Sequence, residues 1–126
     1  MAQPQARPKY LNLLEIRMPV GAVASIAHRI SGVLLFLAVP AMIWLLERSL
    51  AGPEGFAQAL DVLRHPLARL VTILLVWALL HHLLAGLRFL LIDLEIGVER
   101  APARAGAWLV NLGAPLLTLL LLGAWW

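Results

Sequence analysis

The stretch His81-His82-Leu83-Leu84-Ala85-Gly86-Leu87-Arg88 closes an uncharged run of 18 residues, 70–87, that ends only at Arg88. A run of that length falls within the roughly 17–25 residues a transmembrane helix needs. On such a helix His82 and Gly86 share one face, about one turn apart. The imidazole can take a metal, and the glycine removes a side chain where a large flat group would need room. Neighbouring residues on a helix point about 100° apart, so His81 and His82 cannot both face one iron. His82, on the glycine's face, is the better ligand. For His81 a water path, a contact with a partner chain or a bond to a carbonyl all stay open. The competing reading of either histidine is a buried, hydrogen-bonded polar residue. Ionisable groups are costly inside a bilayer, which makes them site hypotheses by default.

Two more uncharged runs, 30–46 and 105–126, hold 17 and 22 residues. The first becomes long enough if its helix begins near Val20 and carries Ser25, His28 and Arg29 with it. The chain of 126 residues is 62% hydrophobic and 13% charged, far more apolar than a soluble domain. The reading is an all-α membrane protein with one membrane-anchor domain, 1–126. A cytoplasmic lead, 1–19, precedes helices at about 20–46, 66–93 and 104–126. Pro40 removes a hydrogen bond from the first helix, and Pro66 suits the first turn of the second. Gly52-Pro53-Glu54-Gly55 is a turn signal, and Phe56, Leu60 and Leu63 follow at helical spacing, as a short interfacial helix would. Trp44, Trp125 and Trp126 mark the outer interface. Arg7, Lys9, Arg17, Arg100 and Arg104 lie at one end; Arg48, Arg64 and Arg69 lie at the other, offset by Glu47, Glu54 and Asp61. That bias places the N-terminus in the cytoplasm.

The absence of cysteine excludes disulfides and thiolate-held iron–sulfur clusters within the chain. The net charge of +3 reads as membrane topology, not as nucleic-acid binding. Residues 1–19 lack the apolar core of a cleavable signal. A multi-pass protein of the bacterial inner membrane is the expectation.

Ser25, His28 and Arg29 fall at i, i+3 and i+4 and share a face. An arginine deep in a bilayer costs ~2.5–3.5 kcal/mol on insertion scales, and less where it snorkels to the edge. Snorkelling alone accounts for neither His28 nor the Ser25 hydroxyl. Arginine suits carboxylates, and a serine hydroxyl can donate to a quinone oxygen. His82 lies about 16 Å along the axis from Asp93, with Arg29 several ångströms nearer the inner surface. A haem on His82 with its propionates directed inward would bring them toward Arg29 and His28. The third helix has no histidine, so a second axial ligand would come from another chain or from His28, which reads as too shallow to be attractive. Arg88 either contributes or snorkels. Asn111 is a candidate donor between helices.

These residues resemble the cytochrome b membrane-anchor subunit of bacterial succinate dehydrogenase, respiratory complex II. The likeness runs through Arg7-Pro8, Leu11, Leu13, Ile16-Arg17, Pro19, Ser25-Ile26, His28-Arg29 and Ser31-Gly32. It continues through Ser49-Leu50, Pro53-Glu54-Gly55-Phe56, His82, Gly86-Leu87-Arg88 and Asp93. The pattern S-x-x-H-R-x-S/T-G, followed some 50 residues later by H-x-x-x-G-L/I-R, is specific.

The resemblance implies a bundle formed with a second small anchor subunit and a haem b shared with it. His82 would be the axial iron ligand, Ser25 and Arg29 would line the ubiquinone site, and His28 and Arg29 would lie near the propionates. FAD and iron–sulfur clusters would reside only in the partner flavoprotein and iron–sulfur subunits. The chain would be part of an enzyme without being its succinate-oxidising subunit. The family often has histidine where this chain has Phe89. Competing readings are a quinol-oxidising fumarate reductase anchor, a structural assembly subunit and a small transporter. The transporter wants a carboxylate near the midplane, and all seven Asp and Glu residues lie in loops or at helix ends.

Overall fold

A computed structural model describes residues 17–124. Four helices follow one another: α1 (Val20–Leu50), α2 (Pro53–Arg64), α3 (Pro66–Asp93) and α4 (Arg100–Gly123). Among the described residues there is no strand. Helices α1, α3 and α4 are each long and apolar enough to cross a membrane. The centre is α3, which packs on α1 along one side and on α4 along another.

The packing is inverted relative to a soluble bundle. Buried positions carry small residues: Ala24, Ser31 and Ala38 recur every seventh residue along α1, and Ala107, Val110, Ala114 and Thr118 line α4. Large side chains such as Phe36, Leu37 and Leu119 point outward, with Phe36 76% exposed. Lipid is as apolar as leucine, so membrane helices associate by close backbone approach at small residues. The threonine hydroxyls inside the spans are satisfied by their own helix. Thr72 donates to Ala68 O at 2.9 Å and Thr118 to Ala114 O at 2.8 Å.

Each helix end has a local cause. Helix α1 runs beyond Leu46 to Leu50, with Arg48 in its last turn, where a cation favours the helix dipole. Gly52, at φ 106°, then turns the chain, and Pro53 opens α2. Glycine is required again at 55, where a Cβ would run into the Arg48 carbonyl. Helix α3 ends in a Schellman turn. Ile96 N–H reaches Leu91 O at 2.8 Å, Glu95 N–H reaches Ile92 O at 2.9 Å, and Glu95 takes the left-handed position at φ 60°.

The last helix begins at Arg100, not Arg104. Pro102 falls in its first turn, where the missing N–H would have had no intrahelical partner in any case. Read as a helix breaker, the same proline moves the start too far along the chain. The contacts expected of 1–16 and of Trp125 and Trp126 lie outside the described residues.

Candidate functional site

The α1–α3 contact brings His28 and His82 together. Their rings stack with centroids 4.1 Å apart and 11° between planes. His28 is therefore at the depth of His82, which corrects the expectation that it lies too shallow. Helical rise alone, counted separately on two helices from their ends, ignores how far one helix is shifted along the other. Stacked rings direct their nitrogens sideways, so this pair cannot flank one iron. The space left by Gly86 is used within the chain, since a Cβ there would lie 3.8 Å from His28 Nε2. Phe89 packs edge-on against His28, 5.2 Å between centroids.

The hydrogen bonds around His82 fix its tautomer. Ser31, fully buried, donates its hydroxyl to His28 O at 2.8 Å. Its oxygen then faces His82 Nδ1 at 3.2 Å, and His28 O lies 3.1 Å from the same nitrogen. Both neighbours act as acceptors there, so Nδ1 carries the proton and Nε2 keeps its lone pair. Among the described residues Nε2 has no hydrogen-bond partner. A histidine tied at one nitrogen and free at the other is the arrangement of a metal-ligating imidazole, whose second partner sets ring orientation and basicity. Gly32 makes room for this ring: a Cβ there would come 3.0 Å from His82 Cε1.

His81 faces the other way. It is 1% exposed and meets Asn111 Oδ1 through Nε2 at 3.3 Å. The Asn111 amide nitrogen donates to Val20 O at 3.3 Å, so its oxygen is the group turned to His81, whose proton is on Nε2. Nδ1 of His81 is buried without a partner among the described residues. Of the three uses left open by the sequence, the bond to a carbonyl is the one present, made to the side-chain carbonyl of Asn111 in the same chain.

Ser25 and Arg29 also meet. Arg29 Nη2 donates to Ser25 Oγ at 3.3 Å, and Arg29 stands exposed on α1. Neighbours in sequence, His28 and Arg29 diverge: the imidazole turns to α3 and the guanidinium to the surroundings. Arg88 is drawn to α4, where Nη2 donates to Ala103 O at 3.1 Å.

Sequence reasoning assigned no role to Ser31 or Gly32, although both stand in the first motif. Their signal was there: Ser31 is three residues beyond His28, on its face, and lies on the small-residue stripe 24, 31, 38. Among the described residues no group of three or more His, Asp or Glu side chains could hold a metal ion. A metal here would depend on one imidazole, with its remaining donors supplied by a macrocycle and a second chain. That donor set fits a haem and does not fit a bare ion.

The chain is similar to known proteins over almost its whole length. Residues 3–121 match the family described as succinate dehydrogenase/fumarate reductase transmembrane subunit. A succinate dehydrogenase cytochrome b556 subunit of Coxiella burnetii is 36% identical over 120 residues, covering 94% of this chain and 95% of the relative. A protein of the same name from Paracoccus denitrificans is 34% identical over 116 residues, covering 92% and 89%.

Proposed function

The chain belongs to the succinate dehydrogenase/fumarate reductase transmembrane subunit family, and from that premise we propose that it binds haem b through His82 Nε2 and supplies Ser25 and Arg29 to a quinone-reducing site. It is one membrane-anchor unit of the bacterial inner membrane, with its N-terminus in the cytoplasm. Its partners are a second small anchor subunit that shares the haem, an iron–sulfur subunit and a flavoprotein. Both relatives carry dehydrogenase names, which favours succinate oxidation over the reverse reaction. The observation that carries the reading is the His82 tautomer, with Nδ1–H held by two acceptors and Nε2 left bare.

Haem b, when bound, would supply a one-electron reservoir beside the quinone. The work of the chain's own residues is positional and electrostatic. Ser31 and the His28 carbonyl hold the His82 ring in one rotation, and the His28 ring supports its face. Ser25 Oγ accepts from Arg29, which leaves its own O–H free to donate to a quinone oxygen. The other N–H groups of Arg29 stabilise the negative charge that grows on that oxygen during reduction. FAD and iron–sulfur clusters in the partner subunits would supply the two electrons from succinate, one at a time. A proton pair completes the quinol, with Ser25 able to pass one across its hydroxyl.

Arg29 is exposed and its outward neighbours Ile30 and Val33 are exposed apolar groups. The quinone pocket is thus half a site in this chain, closed by the second anchor and the iron–sulfur subunit. Ser25→Ala and Arg29→Leu in the intact membrane complex should each lower quinone reduction about 10²-fold, the scale of losing one preorganised donor at a developing oxyanion. Succinate oxidation with an artificial acceptor should stay normal. Unchanged quinone turnover in both variants would remove these residues from the site.

A further inference from the structure

At the end of the bundle where α1 begins, α3 ends and α4 begins, a cleft of about 590 Å³ opens among Met18, Val20, Arg88, Arg100, Arg104 and Trp108. Three guanidiniums share it, and none forms an ion pair with a described carboxylate. Asp93, Glu95 and Glu99 lie in or beside the α3–α4 connection without reaching them. Among the described residues Arg88 makes one hydrogen bond, to Ala103 O, while its Nε is buried with no acceptor. Two glycines admit it: a Cβ at Gly106 would lie 3.4 Å from Arg88 Nε, and one at Gly21 would lie 4.0 Å from Nη2. Arg100 and Arg104 are four apart on α4 and so face the cleft together.

The cleft therefore has a cationic floor and apolar walls, at the end of three membrane-spanning helices. Met18, Val20 and the half-exposed Trp108 indole suit an acyl–headgroup boundary, where indoles are enriched. Planar guanidiniums bind phosphate oxygens in pairs. We infer that this cleft binds the phosphate of an anionic phospholipid headgroup, with an acyl chain leaving past Met18, Val20 and Trp108. Free phosphate offers the same oxygens without the chain, and the apolar walls favour the lipid.

The test uses the purified membrane complex in mild detergent, followed by native mass spectrometry while dioleoyl phosphatidylglycerol or dioleoyl phosphatidylcholine is added. The wild type should retain phosphatidylglycerol at roughly tenfold lower concentration than phosphatidylcholine, as loss of surface arginines is costly for anionic lipid binding. The exposed pair Arg100→Gln and Arg104→Gln should abolish that preference, while Arg64→Gln at the opposite end should keep it. Raising salt should weaken retention in the wild type, a readout that needs no variant. Equal retention of the two lipids, or a preference surviving in the double variant, would overturn the assignment. Removal of the lipid adduct by millimolar inorganic phosphate would also overturn it, giving the cleft to the free ion.

Discussion

His81 gives its proton from Nε2 to the Asn111 carboxamide on α4, whereas His82, next in the chain, gives its proton from Nδ1 to Ser31 and His28 on α1. Adjacent residues thus hold opposite tautomers because a helix turns them toward different neighbours. For His81 the bare nitrogen is sealed inside; for His82 it is left without a hydrogen bond. The α1–α3 seam thus leaves an imidazole nitrogen unburied and unbonded among the described residues, whereas the α3–α4 seam ties up its histidine in a bond between helices. Residue type alone does not separate the two.

The sharpest way to break this contrast is to delete each imidazole in turn. His82→Leu should abolish the b-type absorption band of the purified complex, and His81→Leu should leave it. Loss of the band in His81→Leu with retention in His82→Leu would reverse the assignment. His81→Leu should instead lower stability by about 1–3 kcal/mol, because it strands the Asn111 oxygen in a buried place. Thermal denaturation of the complex measures that cost.

Gly32→Val tests the seam from the other side. A Cβ at 32 would come 3.0 Å from His82 Cε1, so the added carbons must displace the ring. Overpacking of this kind costs about 1–3 kcal/mol. The reduced spectrum should shift or broaden, and the His81 side should be untouched. An unaltered spectrum would mean that the ring does not depend on α1 for its place.

Ser31→Ala is the mildest test. It removes one of two acceptors at Nδ1 and leaves the His28 carbonyl in position. The imidazole becomes a slightly weaker electron donor, so the oxidised iron is less favoured. A potentiometric titration should show the midpoint rising by about 20–40 mV, less than the roughly 59 mV per tenfold of a one-electron couple. A fall in potential would contradict the donor role given to Nδ1–H.

The spans were legible because length and hydropathy dominate in a bilayer, and Gly52-Pro53 announced α2. The start of α4 was not, because proline looks the same inside a first turn as in a loop. The Ser25–Arg29 pair could be read from spacing on one helix. Whether His28 meets His82 could not, since it depends on the relative shift of two helices, and that shift is set by Ser31, Gly32 and Gly86 through contacts far apart in sequence. His81, His82 and Arg88 on α3 each hydrogen-bond to α1 or α4. Arg29, ten residues into α1, stays exposed.

Asn111 joins the backbone at Val20 to the ring of His81. The two ends of one carboxamide thus bridge α4 to both other spans, oxygen to α3 and nitrogen to α1. A single position governs two interhelical links, so losing that amide would loosen the bundle on two sides at once.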